Sequence, residues 1–148
     1  MATVETSHGR IPNWEQVRDQ WLGRLTGLID QVESWVRAWG WATRRIEKKI
    51  EDSEVGDHRA PALLMQEGTT RILLEPMGRS AAPDTEGIVD LYLMPAYNDV
   101  AHLYYYRGGW HLHYRFAGAN GKPAAARQES LTAEGFRAVL EEIVRRAA

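Results

Sequence analysis

The stretch Ala101-His-Leu-Tyr-Tyr-Tyr-Arg-Gly-Gly-Trp-His-Leu-His-Tyr-Arg-Phe116 alternates apolar and polar side chains on both sides of a glycine pair. Alternation with period two is the mark of a strand with unlike faces, and adjacent glycines adopt positive φ without a Cβ clash. The segment therefore predicts a β-hairpin turning at Gly108-Gly109, with Arg107 and Trp110 flanking the loop. In that register Tyr106 faces His111, Tyr104 faces His113 and His102 faces Arg115 on one side of the ribbon. Ala101, Leu103, Tyr105, Trp110, Leu112, Tyr114 and Phe116 fall on the other, which is expected to join the core.

Upstream, Gly87–Met94 reads as a further strand, separated from the hairpin by a turn over Pro95–Asp99. If Leu91 and Leu93 share the core with Leu103 and Leu112, then Asp90 and Tyr92 share the polar face with the histidines, and Glu75 and Arg71 are candidates to join them. Ala62–Gln66 and Thr70–Glu75 predict a second hairpin about Glu67-Gly68, and Thr43–Glu51 suits a lysine-protected edge strand, with a short helix as its alternative. Asp52–Pro61, Pro76–Gly87 and Ala117–Glu129 are expected to be connections.

The chain before this β region carries a helical period. Trp14, Val17, Trp21, Leu25, Leu28, Val32, Trp35 and Trp39 recur every three or four residues, behind a start signal in Asn13 and Gln16 and ahead of a stop at Gly40. At 1.5 Å per residue the rod is roughly 39 Å long, enough to cross a sheet. A closing helix follows Thr132, with Leu131 and Phe136 as a staple and Phe136, Val139, Leu140 and Ile143 on one face. The expected fold is α+β: a two-layer sandwich with the long N-terminal helix on an antiparallel sheet of about five or six strands, then a C-terminal helix. Residues 1–12 read as a loose tail and residues 13–148 as one domain.

Composition narrows the classes. The chain has no cysteine, which excludes disulfides, thiolate metal sites and a cysteine nucleophile. No apolar run approaches a membrane span, and Met1–Arg10 lacks the basic-then-apolar pattern of a secretory signal, so a cytoplasmic location without membrane contact is expected. A net charge of −2 provides no field for polyanions. Arg44, Arg45, Lys48 and Lys49 are a local basic run, which makes nucleic-acid binding a third-ranked reading. Ser80 and Ser130 lack a Gly-x-Ser-x-Gly context, so covalent hydrolase chemistry has no support.

What stands out is the polar face of the ribbon: Asp90, Tyr92, His102, Tyr104, Tyr106, His111, His113 and Arg115. Aromatic side chains with polar tips suit a contact surface, and no catalytic signature accompanies them. The leading expectation is a non-catalytic binding or adaptor protein whose partner is a protein or a small molecule, with no cofactor. The alternative is an enzyme, either metal-assisted or acid/base, in which His102, His111, His113 and Asp90 hold a divalent ion such as zinc or move a proton. The tryptophan stripe is expected to be core, with a helix-mediated homodimer as its alternative role.

Overall fold

Asn13 starts the first helix as its side chain allows. Its backbone is extended (φ −80°, ψ 95°) and its Oδ1 accepts the Gln16 amide at 3.2 Å, satisfying one orphan donor of helix α1 (Trp14–Ala38). Gly40 stops it at φ 93°: its amide donates to Arg37 O and that of Trp41 to Val36 O, a Schellman closure. The computed structural model describes residues 11–79, 84–116 and 125–147. The tail expected over residues 1–12 lies outside them, apart from its last two residues.

Seven strands follow α1, and each pairs antiparallel with its sequence neighbours: β1 (Ala42–Ile50), β2 (His58–Glu67), β3 (Thr70–Gly78), β4 (Ile88–Leu93), β5 (Asn98–Tyr106), β6 (Gly109–Tyr114) and β7 (Arg127–Ser130). Helix α2 (Ala133–Ala147) ends the fold, and Thr132 Oγ1 accepts the Gly135 amide at 3.0 Å as its cap. The architecture is the expected α+β sandwich, with one strand more than the upper expectation. Among the described residues no helix is long and apolar enough to cross a membrane.

Both helices lie on the same face of the sheet, where the Trp35 and Phe136 rings meet with centroids 6.0 Å apart. Alternate strand residues Leu63, Met65, Ile72, Leu74, Val89, Leu91, Ala101, Leu103 and Leu112 supply the sheet side of this core. Trp21, Leu25, Leu28, Ile29, Val32 and Val36 come from α1, with Phe136, Val139, Leu140 and Ile143 from α2. The tryptophan stripe is therefore core: Trp21 is buried, with its Nε1 donating to His58 Nε2 at 3.2 Å, and Trp35 and Trp39 pack at the margin.

Four boundaries differ from the sequence expectations. β2 begins at His58, inside the expected loop, with Pro61 opposite Glu47 of β1 and no β3 partner before Leu63. The turn of that hairpin is Gly68-Thr69, with Glu67 opposite Thr70. β3 runs on through Pro76 to Gly78, with an irregularity at Met77. Arg127–Ser130, assigned to a connection, forms β7, while residues 117–124 of that connection lie outside the described set.

The hairpin at 101–116 has its predicted faces but a different register. The loop is Arg107-Gly108, with φ values of 52° and 77°, so Tyr106 opposes Gly109, Tyr104 opposes His111 and His102 opposes His113. The left-handed conformation costs a non-glycine residue about 1–2 kcal/mol. In exchange Leu103 pairs with Leu112 and Tyr105 with Trp110, whose rings meet edge-on at 5.3 Å. A Gly108-Gly109 loop would instead set Tyr105 against Leu112 and lose that aromatic pair. Because the slip is even, no side chain changes face.

Candidate functional site

Among the described residues no helix covers the second face of the sheet, and the register draws one polar row across it. Glu75 on β3 opposes Asp90 on β4, Asp90 opposes His102 on β5, His102 opposes His113 on β6, and His113 opposes Gln128 on β7. Asp90 is the one buried charged residue among those described, at 3% exposure. A buried carboxylate requires hydrogen-bond donors, and two are supplied. His102 Nδ1 lies 2.6 Å from Asp90 Oδ1, and the Tyr97 hydroxyl donates to Oδ2. A carboxylate accepts only, so the His102 proton facing it sits on Nδ1 and Nε2 is left for the solvent side, where the imidazole is 39% exposed.

Tyr97 reaches Asp90 from the β4–β5 turn. It sits at φ 53°, which folds the chain back so that its ring rests on that of Tyr92 at 4.5 Å. The hydrogen bond to Asp90, then burial, pushes the Tyr97 phenol up to about 12. Burial first, and then the hydrogen bond to Glu75, does the same for Tyr92, whose hydroxyl donates to Glu75 Oε1 at 2.9 Å. Lys48 of β1 closes that end of the row, with Nζ 3.1 Å from Glu75 Oε2.

On the other side of His102 the groups are aromatic. Tyr104 stacks near His102 at 5.8 Å and meets His113 edge-on at 4.7 Å; burial raises its phenol pKa, with the Asp90 charge adding to the shift. Burial and the neighbouring His111 and His102 lower the pKa of His113, which favours a neutral ring next to the Tyr106 hydroxyl, 3.0 Å from its Nε2. His111 lies flat on Tyr106 with centroids 3.8 Å apart and planes 13° from parallel, and its buried Nδ1 has no hydrogen-bond partner among the described residues.

The predicted residues thus share one face but divide into smaller groups. Asp90, His102, Tyr104 and His113 form the centre; Tyr92 turns toward Glu75; Tyr106 and His111 form a stacked pair at the hairpin tip. Arg115 lies beyond the end of β6 and does not oppose His102, yet both line the same hollow of about 270 Å³, together with Val100, Tyr104, His113, Arg127 and Gln128. Arg71 is exposed opposite Gln66, at the other end of β3 from Glu75. Among the described residues no group of three or more His, Asp or Glu side chains could hold a metal ion. His102 is turned to Asp90, whereas His111 stacks on the Tyr106 ring and His113 meets the hydroxyl of the same tyrosine.

Three contributors are not legible in the sequence. Tyr97 stands within a Pro-Ala-Tyr-Asn turn, and nothing local shows that its hydroxyl returns to Asp90. Arg127 and Gln128 follow a glycine- and alanine-rich run; the signal present is the four-residue polar segment directly ahead of Leu131, whose amide donates to Trp110 O at 3.0 Å. The basic run on β1 does not form a patch. Arg45 turns to Asp30 and Glu33 of α1, whereas Lys48 turns to Glu75 and Pro76 O on the opposite face.

No family model matches the chain, and neither a curated protein nor a solved structure resembles it to a significant degree.

Proposed function

We propose that this chain is a cytoplasmic binding protein that seats a small molecule on the uncovered face of its sheet, in the hollow over His102. One observation carries this reading: a carboxylate buried to 3% exposure fixes the orientation of an imidazole on the sheet face that neither described helix covers. Burying a charge opposes folding, so its retention under a solvent-facing histidine is better accounted for by recognition than by stability. Tyr104 and Val100 give the hollow apolar surface, and His102, His113 and Gln128 line it with polar groups, the usual make-up of a ligand site.

A small-molecule library screened by NMR against the uniformly labelled chain tests this. Ligands should perturb the amides of residues 100–104 and 111–115, and binding should be lost in a Tyr104→Ala/His113→Ala double variant that retains its circular-dichroism spectrum. Ligands that leave those amides unmoved, or that bind the double variant equally well, would overturn it.

The Asp90–His102 pair also supports a second reading, acid/base catalysis, since a carboxylate-oriented imidazole with a free outer nitrogen is a serviceable general base. In that case a bound ligand is turned over, and His102→Gln lowers kcat by about 100-fold or more while leaving ligand affinity near that of the parent. Ligands recovered unchanged after long incubation reject catalysis and leave the binding reading in place.

A further inference from the structure

We propose that the free edge of β1 pairs with the same edge of a second copy of this chain, joining the two sheets antiparallel across a two-fold axis at Ile46. This contact is independent of the ligand reading above.

A sheet edge is a row of unpaired amides and carbonyls, and folded proteins shorten, kink or charge such edges to keep other strands away. The two edges of this sheet differ in that respect. β7 is four residues long. β1 runs from Ala42 to Ile50 without proline or glycine, and its ladder to β2 is unbroken from Ala42 opposite Gln66 to Ile50 opposite His58. Among the described residues no strand or other backbone hydrogen bond occupies its outer side. Two of the basic side chains along it are drawn inward instead of standing guard. Lys48 crosses to β3, where its Nζ lies 3.1 Å from Glu75 Oε2 and donates to Pro76 O, and Arg45 is held on α1 by Asp30 and Glu33.

What the edge fits is its own sequence, Ala-Thr-Arg-Arg-Ile-Glu-Lys-Lys-Ile. In an antiparallel pair related by a two-fold axis, one residue meets its own copy and its neighbours meet in reversed order. With Ile46 on the axis, two half-buried isoleucines meet at the centre, and Arg45 stands opposite the partner's Glu47 on both sides of it. Moving the axis by one residue sets Arg45 against the partner's Arg45 or Glu47 against the partner's Glu47. Moving it by two does the same for Arg44 or Lys48, and larger shifts leave much of the strand unpaired. Like charges directly opposite destabilise a sheet, so one register is favoured.

The side chains are ready for it. Glu47 is exposed and makes no ion pair or side-chain hydrogen bond among the described residues. The bonds that Arg45 makes use Nε and Nη2, which leaves Nη1 to donate across the axis. Arg44 opposite the partner's Lys48 is the like-charged contact in this register, and Glu75 relieves it by holding Lys48. Because the axis stands perpendicular to the sheets, the seven strands of each copy continue into those of the other, with both polar rows on one side.

Light scattering and sedimentation of the full chain test this over a concentration series reaching about 1 mM. Expected is a reversible monomer–dimer equilibrium. Glu47→Lys should weaken the dimer about tenfold or more, because it sets cations opposite each other on both sides of the axis, while the circular-dichroism spectrum stays that of the parent. The chain has no cysteine, so Ile46→Cys is a clean probe. Mild oxidation should lock it as a disulfide-linked dimer, since opposed residues of an antiparallel ladder lie about 4.5–5.5 Å apart at Cα, within disulfide reach. Lys49→Cys should not cross-link, because it stands opposite the partner's Thr43 and about 20 Å from its own copy.

A chain that stays monomeric throughout the series overturns the proposal. So does a dimer that is unaffected by Glu47→Lys or that Ile46→Cys fails to lock, since its contact then lies elsewhere, on the open face or along α1.

Discussion

At the scale of the residue, Asp90 is the position on which the open face depends. Its two oxygens hold His102 and Tyr97, one a strand neighbour and the other a turn residue, so a single carboxylate fixes the orientation of an imidazole and the path of a loop. Asp90→Asn keeps the size but introduces a donor where two donors already converge. It should cost about 1–3 kcal/mol of stability, read as a lower urea midpoint. It should also change the His102 ring nitrogen shifts, since the proton on Nδ1 loses its carboxylate acceptor and is left at best an uncharged amide oxygen. Unaltered nitrogen shifts would show that Asp90 does not set the tautomer. Alternation alone places Asp90 on this face, because Leu91 beside it has to point inward. Its burial is not foreseeable in the same way: strand parity says which way a side chain points, and the depth at which it sits depends on the Tyr97 turn lying over it.

At the scale of the element, the hairpin shows what a sequence pattern specifies and what it leaves open. Face assignment survives a change of register because any slip by an even number of positions preserves it, so the inference of two unlike faces is robust while the individual pairs are not. The loop is decided by Tyr105–Trp110 and Leu103–Leu112 pairing, a preference spread over both strands and invisible at the glycines themselves. The helices are more legible, since Asn13 and Thr132 are local caps and the apolar period is long. β7 is not, because four polar residues at a sheet edge carry no apolar signature. The register makes a clear prediction. Gly108 sits at φ 77°, so Gly108→Ala should destabilise the fold by about 1 kcal/mol or more. Gly109 is not held at positive φ and has open space where a methyl group would stand, so Gly109→Ala should be neutral or stabilising by about 0.5–1 kcal/mol. Thermal melts of the two variants distinguish them, and the reverse order would restore a Gly108-Gly109 turn.

At the scale of the whole molecule, stability and pH are linked through groups far apart. Arg79 holds Asp52 well below the usual carboxylate range, at about 2, and Asp52 also accepts the Glu54 and Val55 amides, fastening the β1–β2 connection to the end of β3. His113 is shifted down as well, chiefly by burial. A lowered value in the folded state means that the deprotonated form is favoured by folding, so both contributions are present above the unfolded pKa and are lost on acidification. The His113 contribution should fade as pH falls below its ordinary 6.5 and through its lowered value, and that of Asp52 between its ordinary 3.8 and about 2. The Asp52 step is worth at most about 2–3 kcal/mol. Urea midpoints measured across this range should fall in two stages, with His113→Gln removing the upper one and Asp52→Asn the lower; an upper stage that persists in His113→Gln would assign it elsewhere. The order of elements has one more consequence. Helix α1 precedes every strand it rests on, and Trp35 meets Phe136 only after all seven have been made. During synthesis on the ribosome its tryptophans therefore emerge long before their shelter does, and the apolar stripe of α1 stays uncovered until the strands and α2 have followed it.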